Sequence, residues 1–224
     1  LLEVDLPVFK CPSDSVRRGG NSYRVSVANH TYPIVVRGSP DAAFTWDWAY
    51  VGGAQPSSVG WRTDHFLDGL SHTAFASERI VGDGDGGTYQ SARDVAIRAM
   101  ASVPQEPPDA VAAACDFGPS SMSGHVSHLG WTWLYAGFGH TQYNHVLTPN
   151  SRKPDVGVNN GLLSIYYGAI TARSFHKGGV NLLLGDGAVK FVADSIDLEV
   201  WRALAAIAGD EVVSDHCFLK STFL

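Results

Sequence analysis

An Asp-Gly pair at 186–187 stands between two apolar stretches, residues 179–185 and 188–192, and constrains the fold more than any other feature. Both residues tolerate positive φ, the requirement of a two-residue hairpin turn, so an antiparallel hairpin turning at Asp186 and Gly187 is expected. A helix should follow it. Asp194 and Asp197 precede Leu198, Trp201, Leu204 and Ala205, which recur at helical spacing, and acidic residues at a helix start accept from its unpaired N–H groups. Gly209 marks the expected end.

Further strands are read over 22–36, where Tyr23, Val25 and Val27 alternate before Ile34, Val35 and Val36, and over 73–78 and 162–170. Residues 41–61 carry Phe44, Trp46, Trp48, Tyr50 and Trp61 among Gly and Pro, a pattern too irregular for a helix. Over 88–100, Tyr89, Ala92, Val95, Ala96, Ala99 and Met100 fall on one helical face, so a helix is expected there, stopped by Pro104, Pro107 and Pro108. Residues 103–128 read as a surface loop excursion. The class is α+β: an antiparallel sheet with flanking helices in one domain over 1–213, and a frayed tail over 214–224.

Charge narrows the partners. With 22 acidic and 16 basic side chains the net charge is −6, which opposes binding to nucleic acid and favours metal cations. No apolar run approaches the ~20 residues of a membrane span. Cys11, Cys115 and Cys217 form no Cys-x-x-Cys pair; they read either as buried thiols or as a Cys11–Cys115 disulfide with one thiol left over.

Four blocks carry a family resemblance. The first is Phe9-Lys10-Cys11-Pro12-Ser13-Asp14, and the second is the run from Phe66 through Asp68-Gly69 to Thr73 and on to Glu78. The third is Tyr143-Asn144-His145 with Pro149-Asn150, and the last is His176 followed after nine residues by Asp186-Gly187. In this order they resemble a large bacterial family of prepilin-type proteins of unassigned function, related to type II secretion pseudopilins. The resemblance implies a type IV pilin-like head, an extracytoplasmic location, and a membrane-anchoring N-terminal helix upstream of Leu1 through which other pilin-like subunits are met. His176 and Asp186 are not a catalytic dyad on this reading. Ten residues of extended chain span up to ~33 Å, so they mark opposite ends of one strand.

The best metal candidate is the loop Gly82-Asp83-Gly84-Asp85-Gly86-Gly87, where Asp83 and Asp85, with Glu78, could converge on Ca2+. It reads equally as a solvated turn. It is no EF-hand, because Thr88 falls where that loop needs Gly and Asp94 where it needs Glu. Calcium in the heads of some related pseudopilins adds to the first reading. His125 and His128, three apart on a loop like His140 and His145 five apart, make a weak zinc pattern. No Gly-x-Ser-x-Gly elbow occurs. Two functions follow: a calcium-stabilised assembly subunit, or a calcium-dependent hydrolase of small activated esters or lactones, with His125 or His128 accepting a proton.

Overall fold

The computed structural model describes residues 4–16, 20–31, 42–44, 61–104, 107–159 and 165–209. Among these residues nine strands run in chain order: β1 (Tyr23–Ser26), β2 (Ala74–Glu78), β3 (Val95–Ile97), β4 (Gly124–Val126), β5 (Gln142–Tyr143), β6 (Asp155–Asn159), β7 (Ile165–Ala169), β8 (Gly179–Leu184) and β9 (Val189–Ala193). Two α-helices accompany them among the described residues, α1 (Pro108–Ala114) and α2 (Leu198–Ala203). The class is α+β, as the sequence predicts, but the strands divide into two sheets. One has the order β5-β1-β2-β8-β9 and the other β4-β3-β6-β7. Pairing is antiparallel except for β1 with β5 and β3 with β6.

The predicted hairpin is present. Gly187 sits at φ 88°, and the Asp186 carboxylate accepts from the Ala188 amide at 2.9 Å, closing the turn between β8 and β9. α2 begins where expected, with the Asp197 carboxylate accepting from the amides of Glu199 and Val200. Its Trp201, with Leu204 just beyond, packs into a core with Val27, Ala74, Val180, Leu182, Leu184 and Val192. Each such side chain withdrawn from water contributes about 1.5–3 kcal/mol. Helix geometry ends at Ala203, earlier than Gly209, whose amide instead reaches Asp68 at 2.7 Å.

Two expectations are corrected. The helix over 88–100 does not form: Val95–Ile97 is a strand between β4 and β6. Two carbonyls that a helix would pair internally are taken by a side chain instead. Asp94 accepts from the Gln90 amide at 2.7 Å, and the Arg79 guanidinium donates to the carbonyls of Ala92 and Arg93. The excursion over 103–128 is not mere surface loop either. It contains α1 and β4, and Val103, Val111 and Cys115 anchor a second core against Val156, Val158 and Tyr167. The strand read from Tyr23 forms as β1, with Arg24 and Ser26 buried on one side, Val27 just beyond it in the core, and the Arg24 guanidinium donating to the Phe138 carbonyl at 3.1 Å. The readings at 34–36 and 162–164, most of 41–61, the tail over 214–224 and Cys217 lie outside the described residues.

Candidate functional site

Glu78 ends β2 with its side chain turned inward. Its Oε1 accepts from His176 Nε2 at 3.0 Å and from the Asn181 amide side chain at 3.2 Å, while Oε2 accepts from the Asn181 backbone at 2.8 Å. Cys11 Sγ lies 3.4 Å from the same His176 nitrogen and 2.9 Å from the Ser13 hydroxyl. The chain is brought here by backbone pairing: Ser22 N–H to Phe9, Arg79 N–H to Ser22, and Arg173 N–H to Glu78. Ser174 orients the histidine, its hydroxyl accepting from the His176 amide at 3.1 Å and donating to the Gly179 carbonyl at 2.7 Å. Asn150 in turn accepts from the Ser174 amide at 2.8 Å. Members of all four sequence blocks, Cys11, Glu78, Asn150 and His176, therefore meet around one point. Sequence spacing did not show it, because the three ligand-type side chains come from segments far apart in the chain.

Next to this clasp lies an ionic hub joining the two sheets. Asp155, at the start of β6, receives Arg79 at 3.1 Å and Arg173 at 3.0 Å, and none of the three exposes more than 6% of its side chain. Burial opposes ionisation of Asp155, but Arg173 and Arg79 outweigh it and hold the carboxyl below its usual range. Burial also pulls Arg79 down to about 10. A second pair, Arg93 with Asp14 at 3.0 Å, ties the first block to the turn before β3.

The acidic loop behaves differently. Asp83 accepts from the Asp85 amide at 2.9 Å and from the Gln90 side chain at 2.5 Å, and Asp85 accepts from the Gly87 amide at 2.8 Å. The Gly87 amide, then the Thr88 hydroxyl, draws the Asp85 carboxyl below its usual range. Glu78 is committed to His176 and Asn181, and no grouping of Asp83, Asp85 and Glu78 within ligand distance occurs among the described residues. Asp83, Asp85 and Glu78 therefore do not converge as a three-carboxylate set in this geometry. His125 Nε2 sits 3.1 Å from the Asp85 carbonyl and 3.7 Å from Asp94. His128 packs beside Trp131 and His140, and burial lowers its pKa. Cys11 and Cys115 are both free, which corrects the disulfide: Cys115 is buried in the second core, donating to the Val111 carbonyl at 3.3 Å, and burial pushes its thiol up to about 12. As expected, His176 and Asp186 stand at opposite ends of β8.

Chemically, Cys11, His176 and Glu78 do not make a nucleophile relay. Such a relay needs the two ring nitrogens to face different partners, whereas here one nitrogen faces both the thiol and the carboxylate. Among the described residues no helix is long and apolar enough to cross a membrane. Residues 2–199 match the family described as "Protein of unknown function (DUF1559)". No curated protein and no solved structure matches the chain.

Proposed function

The chain belongs to the DUF1559 family, and from that premise we propose that it is the extracytoplasmic head of a pseudopilin-like assembly subunit. At the coarse level the family is associated with pilin-like and secretion-related proteins. In the proposed arrangement an apolar N-terminal helix anchors the subunit in the membrane, and the head contacts its neighbours in an envelope filament or a type II secretion-like machine. The observation that carries the reading is the C-terminal hairpin. Among the described residues β9 is the last strand of its sheet, and Leu183, Val189 and Phe191 are 36%, 64% and 47% exposed on one face of the hairpin. Large apolar groups gathered on a sheet edge are costly to leave in water, and the occupant that suits them here is a neighbouring pilin-like subunit.

The test is made on the full-length gene product in its own envelope. A prepilin-type leader cleaved by the prepilin peptidase, together with cross-linked multimers through F191C, is the expected outcome. A protein that is never processed and stays monomeric under cross-linking overturns the assignment.

A further inference from the structure

Cys11, Glu78 and His176 present a sulfur, an oxygen and a nitrogen that all lie within 4.8 Å of one another. How they point matters more than how close they are. His176 Nε2 faces Sγ at 3.4 Å and Oε1 at 3.0 Å, yet a ring nitrogen holds either one proton or one lone pair. Electron-rich atoms turned toward a common centre are what a cation gathers. Around a tetrahedral zinc, ~2.3 Å to sulfur and ~2.0–2.2 Å to nitrogen and oxygen place S and N about 3.6 Å apart and N and O about 3.4 Å apart. The clasp needs to open by only a few tenths of an ångström to meet those separations.

Charge points the same way. The Glu78 side chain is 3% exposed, and among the described residues no lysine or arginine pairs with it, since Arg79 and Arg173 turn to Asp155. A divalent ion with one thiolate, one carboxylate and one neutral imidazole sums to zero, a balance a buried site requires. The Ser13 hydroxyl, 2.9 Å from the sulfur, is placed to donate to a thiolate. Space is present on both sides. A small cavity of about 10 Å³ is bordered by Cys11, Ser13, Ser22 and Glu78. On the outer side an open cleft of about 350 Å³ is lined by His176, Phe175, Asn150 and Asp194.

We propose that Cys11, Glu78 and His176 bind a zinc ion whose fourth position opens toward this cleft and is taken by water. A thiolate with an imidazole selects a borderline-soft ion such as Zn2+ over Ca2+ or Mg2+. The ion staples the segment before β1 to the end of β2 and to the turn before β8. This site is independent of the assembly reading, and either can fail without the other.

The test strips the whole chain with a chelator and titrates it with Zn2+, then with Co2+ for its spectrum. One ion per chain is expected, with a higher melting temperature and a thiolate-to-cobalt charge-transfer band. Cys11→Ser abolishes that band, and Cys11→Ser, Glu78→Gln and His176→Ala each weaken Zn2+ binding about tenfold or more. Cys115→Ser leaves band and affinity unchanged. Where circular dichroism shows a ligand variant unfolded, the unaltered chain supplies the readout, with Zn2+ slowing alkylation of Cys11. Absence of Zn2+ uptake at micromolar concentration, a cobalt band that survives Cys11→Ser, or alkylation of Cys11 indifferent to Zn2+ overturns the site.

Discussion

The acidic loop after β2 and the buried centre formed by the clasp and its neighbouring hub each hold two carboxylates, yet they handle charge in opposite ways. Asp83 and Asp85 lie at the surface, where each accepts from the amide two residues further on and Asp83 also from the nearby Gln90 side chain. Glu78 and Asp155 are buried, and their partners come from distant strands and loops. In the loop, negative charge follows from local turn chemistry and costs little because water screens it. At the buried centre every partner is needed, because an ion left unpaired there loses its hydration with nothing in return.

The sharpest way to break this contrast is Asp155→Asn, which strands two buried guanidinium groups. A loss of about 3–5 kcal/mol in urea unfolding is expected; a loss as small as that of a surface substitution would erase the distinction. The acid limb follows from the same group. Its folded pKa lies below the unfolded value near 4, so its stabilisation is complete above about pH 4 and is lost as the pH falls through the folded value.

A buried group with no charge to lose sharpens the comparison. His145 donates from Nδ1 to the Trp201 carbonyl at 2.7 Å and accepts from the Tyr143 hydroxyl at 2.9 Å, and burial holds its pKa at about 3. The unfolded chain takes up a proton near pH 6.5 that the folded chain refuses. Stability therefore falls with pH from about 6.5 toward 3, by about 2 kcal/mol between pH 7 and pH 5 from this group. His145→Gln should remove that portion of the slope, as read from urea midpoints at the two pH values.

Smaller effects separate the clasp from the loop. In the metal-stripped chain, Glu78→Gln is expected to cost about 1–2 kcal/mol, since the amide keeps the volume but mismatches the donors of His176 and Asn181. The double change Asp83→Asn with Asp85→Asn should leave the unfolding midpoint where it was, with millimolar calcium or with chelator. A calcium-dependent midpoint that vanishes in the double variant would restore the loop as an ion site.

Local chemistry was legible in the sequence, and long-range chemistry was not. The turn at Asp186-Gly187 and the cap at Asp197 are satisfied by groups within three residues, so short windows found both. The run over 88–100 misled for the converse reason: its apolar spacing suits a helix, but Arg79 takes the carbonyls of Ala92 and Arg93 that a helix would have used, and Val95–Ile97 pairs with distant strands. Glu78 was singled out for the wrong partners, since its neighbours in sequence are Asp83 and Asp85 and its neighbours in space are His176 and Asn181. Each of Cys11, Glu78 and His176 belonged to a recognised block. Their meeting depends on β2 lying against β8, a pairing that no local window contains.

That pairing bears on when the protein can fold. Strand β2 sits at the middle of its sheet, yet its partner β8 begins a hundred residues later, and Cys11 reaches His176 across a separation of 165. During synthesis the early strands emerge with one side of their sheet missing, and the cost of closing such long loops is met only once the last hairpin arrives. The central strand of that sheet therefore completes its pairing only when the C-terminal hairpin is available.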